Sequence, residues 1–161
     1  IFTDAFIKSW SPWFYKQLVE PSEALKRKIV IYSYFFIMAS VLVAFFVSII
    51  SKFLLPFFVS EEYYQAHEFI LWIALGYMVR GVYQILFPYL VHIGRTSFLL
   101  VITTSAALVN LVLNYLLISS YGVIGAAYAT LGAFIVSAVL IFWYQQKNYY
   151  MPWLLGVKFE K

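Results

Sequence analysis

Cysteine is missing from the chain altogether, which excludes disulfides and thiolate-bound metals and leaves the redox compartment open. Charge is scarce as well. Asp, Glu, Lys and Arg make up 11% of the residues, where a soluble domain carries about 25%. Hydrophobic residues reach 64% and aromatics 22%, more than a globular core of this size can bury. These proportions point to an integral membrane protein. Catalytic signatures are lacking too: the chain holds no GxSxG, no Walker A sequence and no HExxH. His67 and His92 stand singly, without a second ligand at metal spacing, so neither a metal nor another cofactor is expected. No connection between the hydrophobic runs is long enough to hold a soluble catalytic domain. The expectation is therefore a protein that is not an enzyme and that works within or beside the bilayer. A net charge of +4 does not imply nucleic acid, because the basic residues fall between hydrophobic runs, where topology explains them.

What is present is a series of long uncharged runs. Ile29–Ser51 carries no charge, Phe69–Val91 carries only Arg80, and Thr96–Gln146 carries none. A single helix over the last run would measure roughly 75 Å, against a hydrocarbon core of about 30 Å, so it must turn. SSYG (119–122) is its only strong turn signal, which gives spans near Thr96–Ile118 and Val123–Tyr144. The opening FTDAFIKSWSPWFY reads as the last turns of an earlier helix, closed around Pro12. The runs do not alternate as barrel strands do. The expected organisation is a helix end (1–15), a cytoplasmic loop (16–28), four transmembrane helices (29–144) and a cytoplasmic tail (145–161), partly amphipathic at the interface. There is no internal repeat and no low-complexity stretch. The first residues lack the basic and apolar regions of a signal peptide, and the chain reads as the C-terminal fragment of a larger protein.

Basic residues set the expected orientation. Lys16, Lys26, Arg27, Lys28, Arg95, Lys147, Lys158 and Lys161 fall on one side, and Lys52 alone on the other, beside Glu61, Glu62 and Glu68. The positive-inside rule then places the loops at 16–28 and 92–96 and the C-terminus in the cytoplasm. Trp10, Trp13, Tyr63, Tyr64, Trp143, Tyr144 and Trp153 gather at the predicted boundaries, as interfacial anchors do.

Polar groups at membrane depth are the candidate functional residues. Arg80 is the costliest, at about 2.5–3.5 kcal/mol on insertion scales. It reads either as a cavity cation for phosphate, pyrophosphate or acidic sugar, or as a structural arginine satisfied by carbonyls or an acid on another helix. Gln84 follows at i+4 on the same face, and Gly76, Gly81 and Pro88 can loosen this span into a bent helix. Asp4 and Lys8 also stand at i, i+4 with the acid first, the favourable order. They read as a neutralised pair or, for Asp4, as an ion- or proton-coupling group. Asn110 and Asn114 repeat the spacing, for interhelical hydrogen bonds or for sugar hydroxyls.

In YGVIGAAYATLGA (121–133), Gly125, Ala129 and Ala133 recur every four residues, as do Gly122, Ala126 and Thr130. Such rows allow close helix approach. The longer stretch NLVLNYLLISSYGVIGAAYAT (110–130) resembles the signature near the end of Wzx-type polysaccharide-unit flippases, members of the multidrug/oligosaccharidyl-lipid/polysaccharide (MOP) exporter superfamily. Asn110, Asn114, Tyr115, Gly122, Gly125, Ala126, Ala127, Ala129 and Thr130 carry the match. GRT (94–96) and SWSPWFYK (9–16) are similar to a turn and a Trp-x-Pro stretch of that family. Arg80 belongs to no matched motif, and the matched residues look like packing and turn positions.

The resemblance implies an all-α integral membrane protein: the end of one helix plus four transmembrane helices of the C-terminal lobe of a MOP/MATE-like transporter. It implies a missing N-terminal lobe and alternating access around a central cavity. The implied cargo is an undecaprenyl-pyrophosphate-linked oligosaccharide, moved across the bacterial inner membrane for O-antigen or other surface-polysaccharide biosynthesis, alongside other polysaccharide-assembly proteins. Arg80, Lys8, Gln84, Asn110 and Asn114 are then the cavity candidates, and Asp4 the coupling candidate. Rival readings are a drug/sodium antiporter, a lipid II flippase, and a non-transporting membrane subunit of a glycan-assembly complex. A membrane-embedded glycosyltransferase or polymerase would need a large catalytic loop, which is lacking.

Overall fold

The computed structural model describes residues 2–19 and 22–154. Within them the chain forms α1 (Phe2–Gln17), α2 (Glu23–Phe58), a 3-10 turn (Glu61–Ala66), α3 (His67–His92), α4 (Ser97–Tyr121) and α5 (Val123–Asn148). The described residues contain no strand. Helices α2 to α5, with the turn that precedes α3, are long and apolar enough to cross a membrane. The protein is thus all-α and multi-pass, and its described residues hold one short α-helix and four spans, as the uncharged runs suggest.

Helix ends extend beyond those runs. Ser22 caps α2, its Oγ accepting the Leu25 N–H at 3.1 Å, and Glu23 in the first turn complements the helix dipole. Lys26, Arg27 and Lys28 therefore lie on the helix, and Lys26 pairs with Glu23 at 2.9 Å. Helix α1 does not close at Pro12 but continues to Gln17. Proline forfeits one backbone hydrogen bond there, yet packing on either side holds the helix. Trp10 and Phe14 are buried beside each other, and the Phe14 ring meets Tyr89 of α3 edge-on at 4.4 Å. Trp10 is consequently a core residue and not an interfacial anchor.

Two glycines end helices by adopting positive φ. Gly94 (φ 67°) closes α3 with paired bonds from Arg95 N–H to the Leu90 carbonyl and from Gly94 N–H to the Val91 carbonyl, a Schellman arrangement. Gly122 (φ 65°) is the single residue between α4 and α5. Ser119 and Ser120 stay helical, their hydroxyls donating to the Leu116 carbonyl, so the turn is narrower than SSYG.

Helix α3 is the hub of the bundle. It packs against α1, α2 and α5, whereas among the described helices the backbone of α4 approaches α5 alone. Gly76 is a contact point with Leu131 and Phe134 of α5, and Gly81 with Phe36 of α2 and Thr3 of α1. On α5 the row Gly125, Ala129, Ala133 and Ser137 is buried. A Cβ at Gly125 would overlap the Leu117 carbonyl of α4, so this glycine is what lets the two backbones meet, the close approach expected of a small-residue row.

After α5 the chain folds back on itself. Gln145 donates to the Tyr149 carbonyl and accepts from the Trp153 indole, while Gln146 exchanges two bonds with the Met151 backbone. Tyr34 of α2 donates to the Trp153 carbonyl at 2.6 Å. Lys158 and Lys161, counted in the expected tail, lie outside the described residues.

Candidate functional site

Helices α3 and α4 each pack on α5 without approaching each other's backbone, and the space between them is a cavity of about 430 Å³. That volume lies within the range of small-ligand pockets, about 300–1,000 Å³. Arg80 and Tyr83 face it from α3, Thr103 and Asn110 from α4, and Thr130 and Ser137 from α5. The remaining wall is Ile102, Phe134 and alanines. The small residues on α5 keep its surface low enough to form a floor.

Arg80 is half-buried, with its guanidinium carbon 5.7 Å from the centre of the Tyr77 ring. No acceptor among the described residues takes a hydrogen bond from it. Its charge reaches the Asp4 carboxylate only as a Coulomb interaction. A guanidinium has five N–H donors and always carries its charge. Of the two readings of Arg80, the structural one finds no carbonyl that accepts from it among the described residues, while its other branch, an acid on another helix, keeps Asp4 of α1 within Coulomb reach. What remains is a cation with a cation–π contact and spare donors on a largely apolar cavity.

The other predicted residues separate into three groups. Gln84 turns from the cavity to the α1–α3 seam, where its Nε2 donates to Asp4 Oδ1 at 3.0 Å. Its Oε1 is buried there without a partner. Lys8 is exposed on α1 and does not line the cavity. Asn114 donates back along its own helix, to the Asn110 carbonyl at 2.9 Å and to Asn110 Oδ1 at 3.0 Å. It faces a separate shallow groove with Leu111 and Tyr115. Gly122 and Gly125 serve the α4–α5 turn and contact, Ala129 is buried on the same helix, and Ala126 supplies the carbonyl that Thr130 bonds. Thr130 has a second place as well, since it lines the cavity.

Arg80, Asn110 and Thr130 are thus brought together, while Thr103, Ser137 and Tyr83 complete the site without having been singled out. The available signal was positional: Thr103 and Asn110 share a face at i, i+7, as do Thr130 and Ser137. Among the described residues no group of His, Cys, Asp or Glu could hold a metal.

The MatE family model matches residues 22–116, more than half of the chain, from the cap of α2 well into α4. Comparison with curated proteins and with solved structures gave no match.

Proposed function

The chain belongs to the MatE family, and from that premise and the Arg80 cavity we propose that it flips an undecaprenyl-pyrophosphate-linked oligosaccharide across a bacterial inner membrane. Membership makes it a MOP-type transporter, in a family of transporters and not of enzymes. The observation that carries the finer reading is Arg80. Its guanidinium lines an apolar cavity and meets no acceptor in the described chain. Desolvated cations bind oxyanions through charge-assisted hydrogen bonds, and guanidinium matches phosphate in two-point geometry. A pyrophosphate headgroup supplies the missing acceptors, and its prenyl tail remains in lipid.

Asn110 offers a second donor beside Arg80, and the cavity hydroxyls face the sugar. Asp4, held by Gln84 and within Coulomb reach of Arg80, is the coupling group: its charge is sensed at the same helix that carries the cargo cation. Lys8 is exposed on α1 and does not line the cavity, so it is not part of this proposal. The basic loops and the C-terminus face the cytoplasm in this reading, with an N-terminal lobe completing the pathway and polysaccharide-assembly proteins as partners.

The test is translocation by the full-length protein in liposomes, read with a fluorescent undecaprenyl-pyrophosphate oligosaccharide. Arg80→Ala lowers the flipping rate by at least about a hundredfold at unchanged expression, because a buried charge-assisted contact is lost. Arg80→Lys keeps the charge but not the fork and retains part of the rate. Full flipping by Arg80→Ala overturns the cargo role. Export of cationic drugs with no movement of the lipid-linked sugar would instead establish an antiporter.

A further inference from the structure

The cavity's hydrogen-bonding groups on α4 and α5 are sorted by type, and the sorting follows from bonds within each helix. Thr103 donates its hydroxyl proton to the Leu99 carbonyl at 2.8 Å, Thr130 to Ala126 at 2.9 Å, and Ser137 to Ala133 at 3.1 Å. A hydroxyl has one proton and two lone pairs. With the proton committed to the backbone, each of these oxygens can only accept. All three line the same cavity.

The opposite polarity is found at Asn110. The Asn114 NH2 must be the group that faces the Asn110 backbone carbonyl, since only a donor can bond there. The same NH2 bonds Asn110 Oδ1, which fixes the Asn110 oxygen toward Asn114 and leaves its Nδ2 to donate elsewhere. No acceptor for that nitrogen occurs among the described residues. Arg80, likewise a pure donor, shares the cavity with it. Donors therefore come from α3 and α4 through Arg80 and Asn110, acceptors from the three hydroxyls on α4 and α5, and Tyr83, on the α3 side, can serve as either.

We infer that Thr103, Thr130 and Ser137 form an acceptor-only wall that selects cargo bearing hydroxyl or amide donors next to its anionic group. This rests on the flippase reading of the same cavity and narrows it to a specificity rule. An anion alone satisfies Arg80 and Asn110 and leaves the hydroxyl oxygens unused. A sugar attached to that anion fills them. A cargo whose sugar presents only acceptors meets three lone-pair oxygens and gains nothing, and at the buried Ser137, acceptors facing each other are penalised.

Binding to the full-length protein in nanodiscs tests this with three probes: bare undecaprenyl pyrophosphate, the same lipid carrying a disaccharide, and its fluoro-deoxy analogue. Fluorine keeps the size of the hydroxyl it replaces and has no proton to donate. The wild-type protein binds the hydroxylated probe at least about tenfold more tightly than the fluorinated one. The T103V/T130V/S137A variant brings that ratio to within about twofold, and an unchanged thermal unfolding midpoint shows that the fold is kept. Thr130→Ser retains the acceptor and most of the ratio, whereas T130V lowers it.

A wild-type ratio near one overturns the inference, and so does an unchanged ratio in the triple variant or equal behaviour of T130S and T130V. Arg80→Ala weakens all three probes alike. If Arg80→Ala leaves binding intact while the hydroxyl ratio persists, the headgroup reading fails and the acceptor wall stands, so the two claims separate.

Discussion

Among the described residues, two clusters of polar side chains on apolar helices stand in contrast, one with its glutamines closing on the chain and one left open. At the end of α5, Gln145 is fully buried, and its donor and acceptor are both taken up by residues 149–153. Gln146 is equally committed, to the two backbone groups of Met151. In the cavity between α3 and α4, by contrast, Arg80 and Asn110 keep donors that no described residue accepts. Satisfied networks specify one arrangement of the chain, whereas unsatisfied groups are costly in a low dielectric. In a cavity such groups can be completed from outside, unlike the buried Gln84 Oε1 and Tyr149 hydroxyl, which lack partners within packed seams. In the proposed reading the first cluster holds structure and the second takes the cargo, although both are built from ordinary amide and cationic side chains.

The strongest way to break this comparison is to remove the open site's wall while sparing the closed one. Gly125→Ala does so, because the added methyl overlaps the Leu117 carbonyl and backbone cannot rotate away as a side chain can. Helix α4 must lift from α5, its only partner among the described helices, and the cavity loses its shape. The expected cost is about 3 kcal/mol, seen as a fall in the thermal unfolding midpoint in detergent together with lost flipping. A variant with the wild-type midpoint and rate would show that this contact does not position α4.

A middle-sized effect comes from the closed cluster. Gln145→Leu removes the acceptor of the Trp153 indole and the donor to the Tyr149 carbonyl, and leaves both inside the fold. The expected loss is about 2 kcal/mol of stability, measured by the same unfolding midpoint, with protease cleavage appearing near 149–154. Arg80→Ala behaves in the opposite way. It removes a charge with no acceptor to abandon, so the midpoint holds or rises while transport is lost. Equal destabilisation by the two substitutions would erase the distinction between a holding cluster and a waiting one.

The sequence shows one half of this more readily than the other. Uncharged runs bounded by basic loops make the four spans legible, because lipid tolerates few alternatives. Their ends are less legible, since Glu23, Lys26, Arg27 and Lys28 are good helix formers that extend α2 past its apolar run. Arg80 stands out through its burial cost alone. Thr103 and Ser137 do not, because hydroxyls that bond their own backbone are unremarkable in an apolar helix, and their common direction depends on how α4 and α5 are rotated. The contact between Asp4 and Gln84 joins residues from two helices distant in sequence, and local spacing pointed instead to Lys8. The small-residue row is visible as a pattern, yet only packing shows that Gly125 is the position where the backbones meet.

The finest test concerns how the closed cluster reaches α2. Helices α2 and α5 have no backbone contact, so the segment after α5 is what ties them. The Tyr34 hydroxyl bonds the Trp153 carbonyl, and Lys26 lies 5.9 Å from the centre of the Tyr149 ring. The tyrosine bond is solvent-exposed, and water can replace it. Tyr34→Phe should therefore cost only about 0.5–1 kcal/mol, read as faster hydrogen exchange confined to residues 149–154, with α3 and the cavity unchanged. Flipping then continues at the wild-type rate, because the strap is separate from the cargo site. A changed rate at unchanged stability would mean that the tie between α2 and α5 moves during transport, and the closed cluster would belong to the working machinery after all.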